Sequence, residues 1–171
     1  MNKFIIKPLQ NEHCRQIQEL ILPIQQLEFN IPVTLEAQSD LFDIETYYHN
    51  TGGGFWGAFD ENKLVGTIAL IATGHQAGAI RKMFVKKEYR GRDYGIAQSL
   101  LEILFVYSKE HQIKDLYLGT VEVLRAAQRF YERNGFQPLL KSALPSYFPI
   151  MPVDTLFYHL HLNQVDYEHY R

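Results

Sequence analysis

Between Ile80 and Ala97 a run of strand-forming residues passes through a basic turn containing Gly91 and Gly95 and enters an apolar helix with no linker between them. A strand that feeds a helix in this way returns to a parallel neighbour by a right-handed crossover, so the segment calls for a sheet with helices packed on it. The same junction is suited to anions. The start of a helix leaves backbone N–H groups without intrahelical partners at the positive end of the dipole, and main chain alone can then hold a pyrophosphate. Gly91 and Gly95 let the backbone approach such a group closely. Lys86, Lys87, Arg90 and Arg92 add positive charge around the turn, as a ligand with several phosphates requires. The plainer reading of these residues is a solvated basic loop that caps a helix.

The rest of the chain fits around this unit. Phe4 to Lys7 reads as a first strand, and Asn11 to about Leu27 carries Ile17, Leu20, Ile21 and Ile24 at helical spacing, with Pro23 expected to kink or split the helix. After a polar loop containing Pro32, Ser39 is expected to cap a second helix bearing Leu41, Phe42, Ile44, Glu45, Tyr47 and Tyr48, which Gly52 to Gly54 stops. Phe55 to Phe59 and Leu64 to Ala72 flank turn residues Asp60 to Lys63 and predict a hairpin, and Ala79 to Val85 adds a third antiparallel strand. Ile96, Leu100, Ile103, Leu104 and Tyr107 share one face of a helix running to about His111. Leu116 to Leu118 predicts a short strand. Leu124, Ala127 and Tyr131 fall on another helix, ended by a left-handed stop at Asn134-Gly135. A strand from Phe136, a proline-rich loop from Leu144 to Pro152 and an alternating strand from Thr155 to Leu162 complete the pattern. The order implies an α/β fold, a mixed central sheet flanked by helices, in one domain over residues 1–162 with a polar tail at 163–171. A chain of 171 residues with 46% apolar residues can bury one substantial core and is too short for two ordinary domains.

Several functions are disfavoured. A formal net charge of -2 supplies no overall attraction to nucleic acid or to an anionic membrane. The apolar runs, such as Phe4 to Ile6, are too short for a signal h-region or a membrane span. Cys14 is the single cysteine, which excludes an intramolecular disulfide and makes the cytoplasm the default compartment. Gly52-Gly53-Gly54-Phe55-Trp56-Gly57 has the spacing of a dinucleotide fingerprint but precedes a strand, so it is a turn. Neither a Walker A sequence nor a Gly-x-Ser-x-Gly elbow occurs. His159, His161 and His169 lack partners at ligand spacing, and no metal is expected.

Arg92-Asp93-Tyr94-Gly95-Ile96-Ala97 follows the pattern Arg/Gln-x-x-Gly-x-Gly/Ala, and Ala127-Gln128-Arg129-Phe130-Tyr131-Glu132-Arg133-Asn134-Gly135-Phe136 follows Ala-x-x-Phe/Leu-Tyr-x-x-x-Gly-Phe. With both patterns in order, the chain resembles the GNAT superfamily of acetyl-CoA-dependent N-acetyltransferases, most strongly over residues 54–136. The resemblance implies the GNAT fold, with acetyl-CoA as acyl donor and pantetheine lying between two splayed parallel strands. It assigns the cofactor to Met83, Phe84, Val85, Arg90, Gly91, Arg92, Asp93, Tyr94, Gly95, Ile96 and Ala97. The main chain of Met83 and Val85 would hold the pantetheine arm, and one of their N–H groups could polarise the thioester carbonyl. The side chains of Met83 and Phe84 also suit plain core packing.

Tyr131 is the first candidate for catalysis, since a phenol near the sulfur can stabilise or protonate the departing thiolate; packing of helix against sheet is its other reading. The attacking amine must first lose a proton. The position where many relatives carry a Glu is Ala79, so Glu122 is the substitute base, with Glu36, Asp40 and His75 behind it. Leu124 stands where the family often has an Asn that bonds the cofactor. Residues 25–50 and 141–155 are expected to line the acceptor pocket. Tyr147, Phe148, Met151 and Phe157 would form either a lid over it or core and edge packing. The acceptor implied is a small-molecule or peptide amine attacking directly in a ternary complex, and exposed strands at the C-terminal end leave room for a homodimer. From another class, a non-catalytic acyl-CoA-binding sensor on the same fold would keep the phosphate turn and lack a working base.

Overall fold

The computed structural model describes residues 4–163; the expected tail from residue 164 on, with His169, lies outside the described residues. Seven strands form one sheet in the order β1-β2-β3-β4-β5-β7-β6. They are β1 (Phe4–Pro8), β2 (Gly54–Asp60), β3 (Lys63–Gly74), β4 (Ala77–Val85), β5 (Asp115–Thr120), β6 (Gln137–Leu139) and β7 (Leu156–His161). Every neighbouring pair is antiparallel except β4 and β5, which run parallel and are joined through helix α2 (Ile96–Glu110). This is the crossover that the Ile80–Ala97 segment demanded.

The sheet is covered on both faces, and β2 is accordingly apolar on both. Trp56 and Ala58 face α2, joining Val65, Ile68, Leu70, Leu100, Leu104 and Phe105 in the larger core. Phe55 and Phe59 face α1 (Cys14–Pro23), with Ile17, Ile21, Leu41, Ile44 and Tyr48. α3 (Arg125–Arg133) docks Tyr131 beside Phe136 at the edge of the larger core. Ile103, expected on the buried face of α2, is 37% exposed because that face is filled by Leu100, Leu101, Leu104 and Phe105.

Pro23 is the last residue of α1, where it removes the bond to the Glu19 carbonyl, and the chain continues as a π-helical turn, Ile24–Glu28. The second expected helix is broken. Ser39–Phe42 is a 3₁₀ turn and Glu45–His49 a π turn, separated at Asp43, whose backbone is extended (φ -155, ψ 74). The Asp43 carboxylate accepts hydrogen bonds from the Thr46 N–H at 3.2 Å and hydroxyl at 2.7 Å, so Asp43 initiates the second turn and stops the first. Ser39 caps nothing and shares a hydrogen bond with the Tyr47 hydroxyl.

Candidate functional site

The register between β4 and β5 runs from Ala77↔Asp115 to Ile80↔Leu118 and ends there. From Arg81 onward β4 pairs with β3 alone, and the two parallel strands splay apart. The β5-facing edge of Met83–Val85 is thereby covered by no strand. Immediately beyond it, Lys87–Tyr89 turns the chain toward the Gly91–Gly95 loop. Gly95 is the N-cap of α2 in the left-handed region (φ 64), and its own N–H is bonded to Gly91 C=O. Because the first intrahelical bond runs from Ser99 N–H to Gly95 C=O, the amides of Ile96, Ala97 and Gln98 point out of the helix start. A Cβ at Gly95 would meet nothing closer than Arg92 O at 3.8 Å, so glycine is needed there for its φ and not for space. Gly95→Ala should cost about 1 kcal/mol of stability in thermal unfolding and weaken ligand binding at the turn.

The four cations of this region are not equivalent. Gly91, Arg92 and Asp93 are exposed on the loop and Lys87 is exposed beside it, while Lys86 lies 3.9 Å from Glu88. Arg90 is held away from a mobile role. Its guanidinium forks onto both oxygens of Glu28, one of them at 2.8 Å, and its Nε donates to Val85 C=O at 2.7 Å. The pairing holds the Glu28 carboxyl below its ordinary range, chiefly through these hydrogen bonds. Arg90 thus fastens the π turn to the end of β4. Tyr94 packs with Tyr89 and Phe4 under the loop.

At the point of splay a cavity of about 110 Å³ is walled by β4, the end of β5, the start of α3 and two loops, which contribute Gln25, Ile31, Val33 and Gln38, and Met151, Val153 and Asp154. Those loops come from the two segments expected to line an acceptor pocket. Tyr131 reaches into it from α3, only 6% exposed, and its hydroxyl donates to the Met83 sulfur at 3.5 Å. Burial first, and the nearby Asp154 charge second, push its phenol well above the ordinary value. Leu124, at the N-cap of α3, lines the same wall with its apolar side chain.

Asp154 is the carboxylate that the site contains. Burial raises its pKa to about 6, against the opposing pull of Arg81 and Lys82. It lies against Gly119 of β5 so tightly that a Cβ there would meet its Oδ2 at 2.5 Å. Glu122 is elsewhere: it is exposed on the turn before α3, where its C=O accepts from the Gln128 side chain at 3.0 Å, and it does not line the cavity. Glu36 is exposed, and His75 sits on the β3–β4 turn stacked on Tyr147 at 4.2 Å. Ala79 is fully buried in one apolar cluster with Phe148 and Phe157. The aromatic run therefore divides, with Phe148 and Phe157 in the core and Met151 in the cavity wall.

Lys82 was not anticipated. It occupies a bulge in β4 at φ 54, opposite the Thr67/Ala69 shift in register, and the Thr67 hydroxyl donates to its C=O at 2.7 Å. A bulge interrupts the alternation of side chains along a strand, which is why Arg81 and Lys82, though consecutive, both line the cavity. The Lys82 ammonium donates to Gln38 Oε1 at 2.6 Å and lies 3.6 Å from Asp40. Asp40 in turn accepts from the Tyr48 hydroxyl, and Gln38 exchanges two hydrogen bonds with Gln25. Burial lowers the Lys82 pKa to about 8 even with Asp40 beside it. Asp40, a candidate base from the sequence, is thus engaged in a buried network. His159 and His161 both bond Asp115 Oδ1, at 2.8 and 2.9 Å, on the far strand pair. Among the described residues no helix is long and apolar enough to cross a membrane.

Known proteins share this fold. The sequence profile of the Acetyltransferase (GNAT) family matches residues 18–136. A GNAT-family acetyltransferase of Staphylococcus aureus Mu50 superposes with a TM-score of 0.90 at 39% identity, covering 94% of this chain and 100% of that one. An acetyltransferase of Streptococcus agalactiae also gives 0.90, at 28% identity over 95% of this chain and all of its own. The N-acetylaspartate synthetase of Danio rerio is 31% identical over 138 residues, which is 78% of this chain and 46% of that protein. The chain spans about half the length of the curated relatives it matches. By fold, by profile and by the splayed parallel strands at its centre, the chain belongs to the GNAT acetyltransferase family.

Proposed function

We propose that this protein transfers the acetyl group of acetyl-CoA to the primary amine of a small molecule, amino acid or peptide, by direct attack within a ternary complex. The observation that carries the reading is the continuity of three features: outward amides at Ile96–Gln98, the edge of Met83–Val85 that no strand covers, and a buried phenol with a half-buried carboxyl where β4 and β5 part. Pyrophosphate would rest on the helix start and the Gly91–Gly95 loop, with Arg92 and Lys87 as outer cations. The pantetheine arm would add to the open edge of β4, and its thioester would lie beside Tyr131.

The chemistry follows from the two shifted groups. An ammonium acceptor gives one proton to Asp154, whose carboxyl, unlike that of Glu122, lies in the cavity and is ionised above about pH 6. The amine nitrogen bonds to the carbonyl carbon as the carbon–sulfur bond breaks. The departing thiolate accepts a hydrogen bond from Tyr131. With its pKa driven upward, that phenol keeps its proton and serves as a donor, and the second amine proton finally reaches the sulfur. An acceptor that is an amino acid is in keeping with a relative named for N-acetylaspartate synthesis.

Calorimetry with coenzyme A, followed by thiol release from acetyl-CoA across a panel of amines, tests the reading. Saturable heat with coenzyme A and amine-dependent release of thiol are expected. No heat, or thiol release indifferent to every amine, would overturn it.

A further inference from the structure

Arg81 and Asp154 share the cavity with opposite charges, yet they form no ion pair with each other. Among the described residues, the Arg81 guanidinium finds only the thioether sulfur of Met151, a weak acceptor for a charged five-donor fork. Lys82, next along the bulge, is already satisfied by Gln38 and Asp40. Among the described residues the cavity therefore presents one underused planar cation and, in the same lining, one carboxyl without an ion-pair partner.

From this geometry we infer that Arg81 is the acceptor's anchor: it binds a carboxylate on the amine substrate, so that the acceptor is a small amino acid and not a polyamine. The inference rests on the acetyltransferase reading and narrows it. A zwitterion supplies what each group lacks, a carboxylate for the guanidinium fork and an ammonium for Asp154, and thereby sets the amine beside Asp154, in the cavity that Tyr131 also lines. A polycation would bring a second positive charge against Arg81 and Lys82, where among the described residues the lining offers no further carboxylate. The volume, about 110 Å³, suits an occupant of amino-acid size.

The test separates binding from turnover. Alanine, aspartate and glutamate, each beside its α-carboxamide, and spermidine are titrated by calorimetry into the full chain with and without coenzyme A, for wild type, Arg81→Gln and Arg81→Lys. At least one acid should bind about 10-fold or more tightly than its amide, a difference of about 1.4 kcal/mol. Arg81→Gln should bring that acid down to the level of its amide, and Arg81→Lys, which keeps the charge and loses the fork, should fall between. Equal binding of every acid and its amide, tighter binding of spermidine than of any acid, or a preference that survives Arg81→Gln would each overturn the assignment. Acetyl-transfer rates on the same compounds keep the two readings apart. Carboxylate-dependent heat without transfer to any amine would remove the transferase and leave the anchor, whereas transfer to acid and amide alike would do the reverse.

Discussion

Asp154→Asn should lower kcat/KM for the amine roughly 100-fold or more at pH 8, remove the inflection of the pH profile near 6, and make the protein more stable. In the wild type the rate should climb as pH rises through about 6, where the carboxyl ionises and becomes able to take a proton. Asparagine cannot take one, so the residual rate should follow the free-amine fraction of the acceptor, rising toward the amine's own pKa of about 10 with no inflection near 6. Stability moves the other way for a related reason. The folded-state pKa of about 6 lies above the ordinary 3.8, so the folded protein holds this proton more tightly than the unfolded chain does. The resulting stabilisation is complete below about pH 4 and is lost as pH rises through 6. At pH 8 the ionised group is a net burden, and its neutral isostere should raise unfolding free energy by on the order of 2 kcal/mol. Glu122→Gln is the control. An exposed carboxylate outside the cavity should be replaceable without change in the profile. A wild-type inflection near 6 retained in Asp154→Asn and lost in Glu122→Gln would reverse the assignment of the base.

Tyr131→Phe should reduce kcat about 100-fold or more while leaving coenzyme A affinity nearly unchanged. The substitution removes one oxygen whose hydrogen bond is to a thioether at 3.5 Å, among the weakest acceptors a protein offers. Stability should therefore shift by less than about 1.5 kcal/mol, and a melting curve close to wild type would separate lost chemistry from lost fold. Since burial holds the phenol protonated well into the alkaline range, no basic limb up to pH 10 should be traceable to Tyr131. Full activity in the phenylalanine variant would show that its ring matters only for packing against Phe136 and Tyr158.

The contrast between these two residues shows how much of the site could be read without coordinates. Tyr131 belongs to a ten-residue pattern on one helix, and the Gly91–Gly95 loop belongs to a strand, a turn and a helix that follow one another directly. Both depend on local preference: glycine at positive φ, a helix start with unpaired amides, an apolar repeat every three or four residues. The strands, the three-stranded meander and the parallel crossover were legible for the same reason. So was the disturbance at Pro23. The break at Asp43 had a local cause too, a carboxylate able to cap the turn that follows it, but the apolar spacing from Leu41 to Tyr48 concealed it. Arg90 looked like a free loop cation because Glu28, which captures it, is 62 positions away.

Asp154 and Arg81 had no such signature. Asp154 sits in a proline-rich loop like many surface aspartates, and nothing in its neighbours along the chain announces that β5 will lie against it at Gly119. Arg81 and Lys82 should have pointed to opposite faces by strand alternation, until a bulge held by Thr67 turned both toward one cavity. The order of elements, the Gly91–Gly95 turn and the tyrosine helix follow from residues close together in the chain, because backbone preference and periodicity act over a few residues. Which carboxyl is buried, which cation is left underused, and what each can do to a proton were decided only when distant segments met, because desolvation and charge coupling depend on everything within several ångströms and on nothing in the linear order.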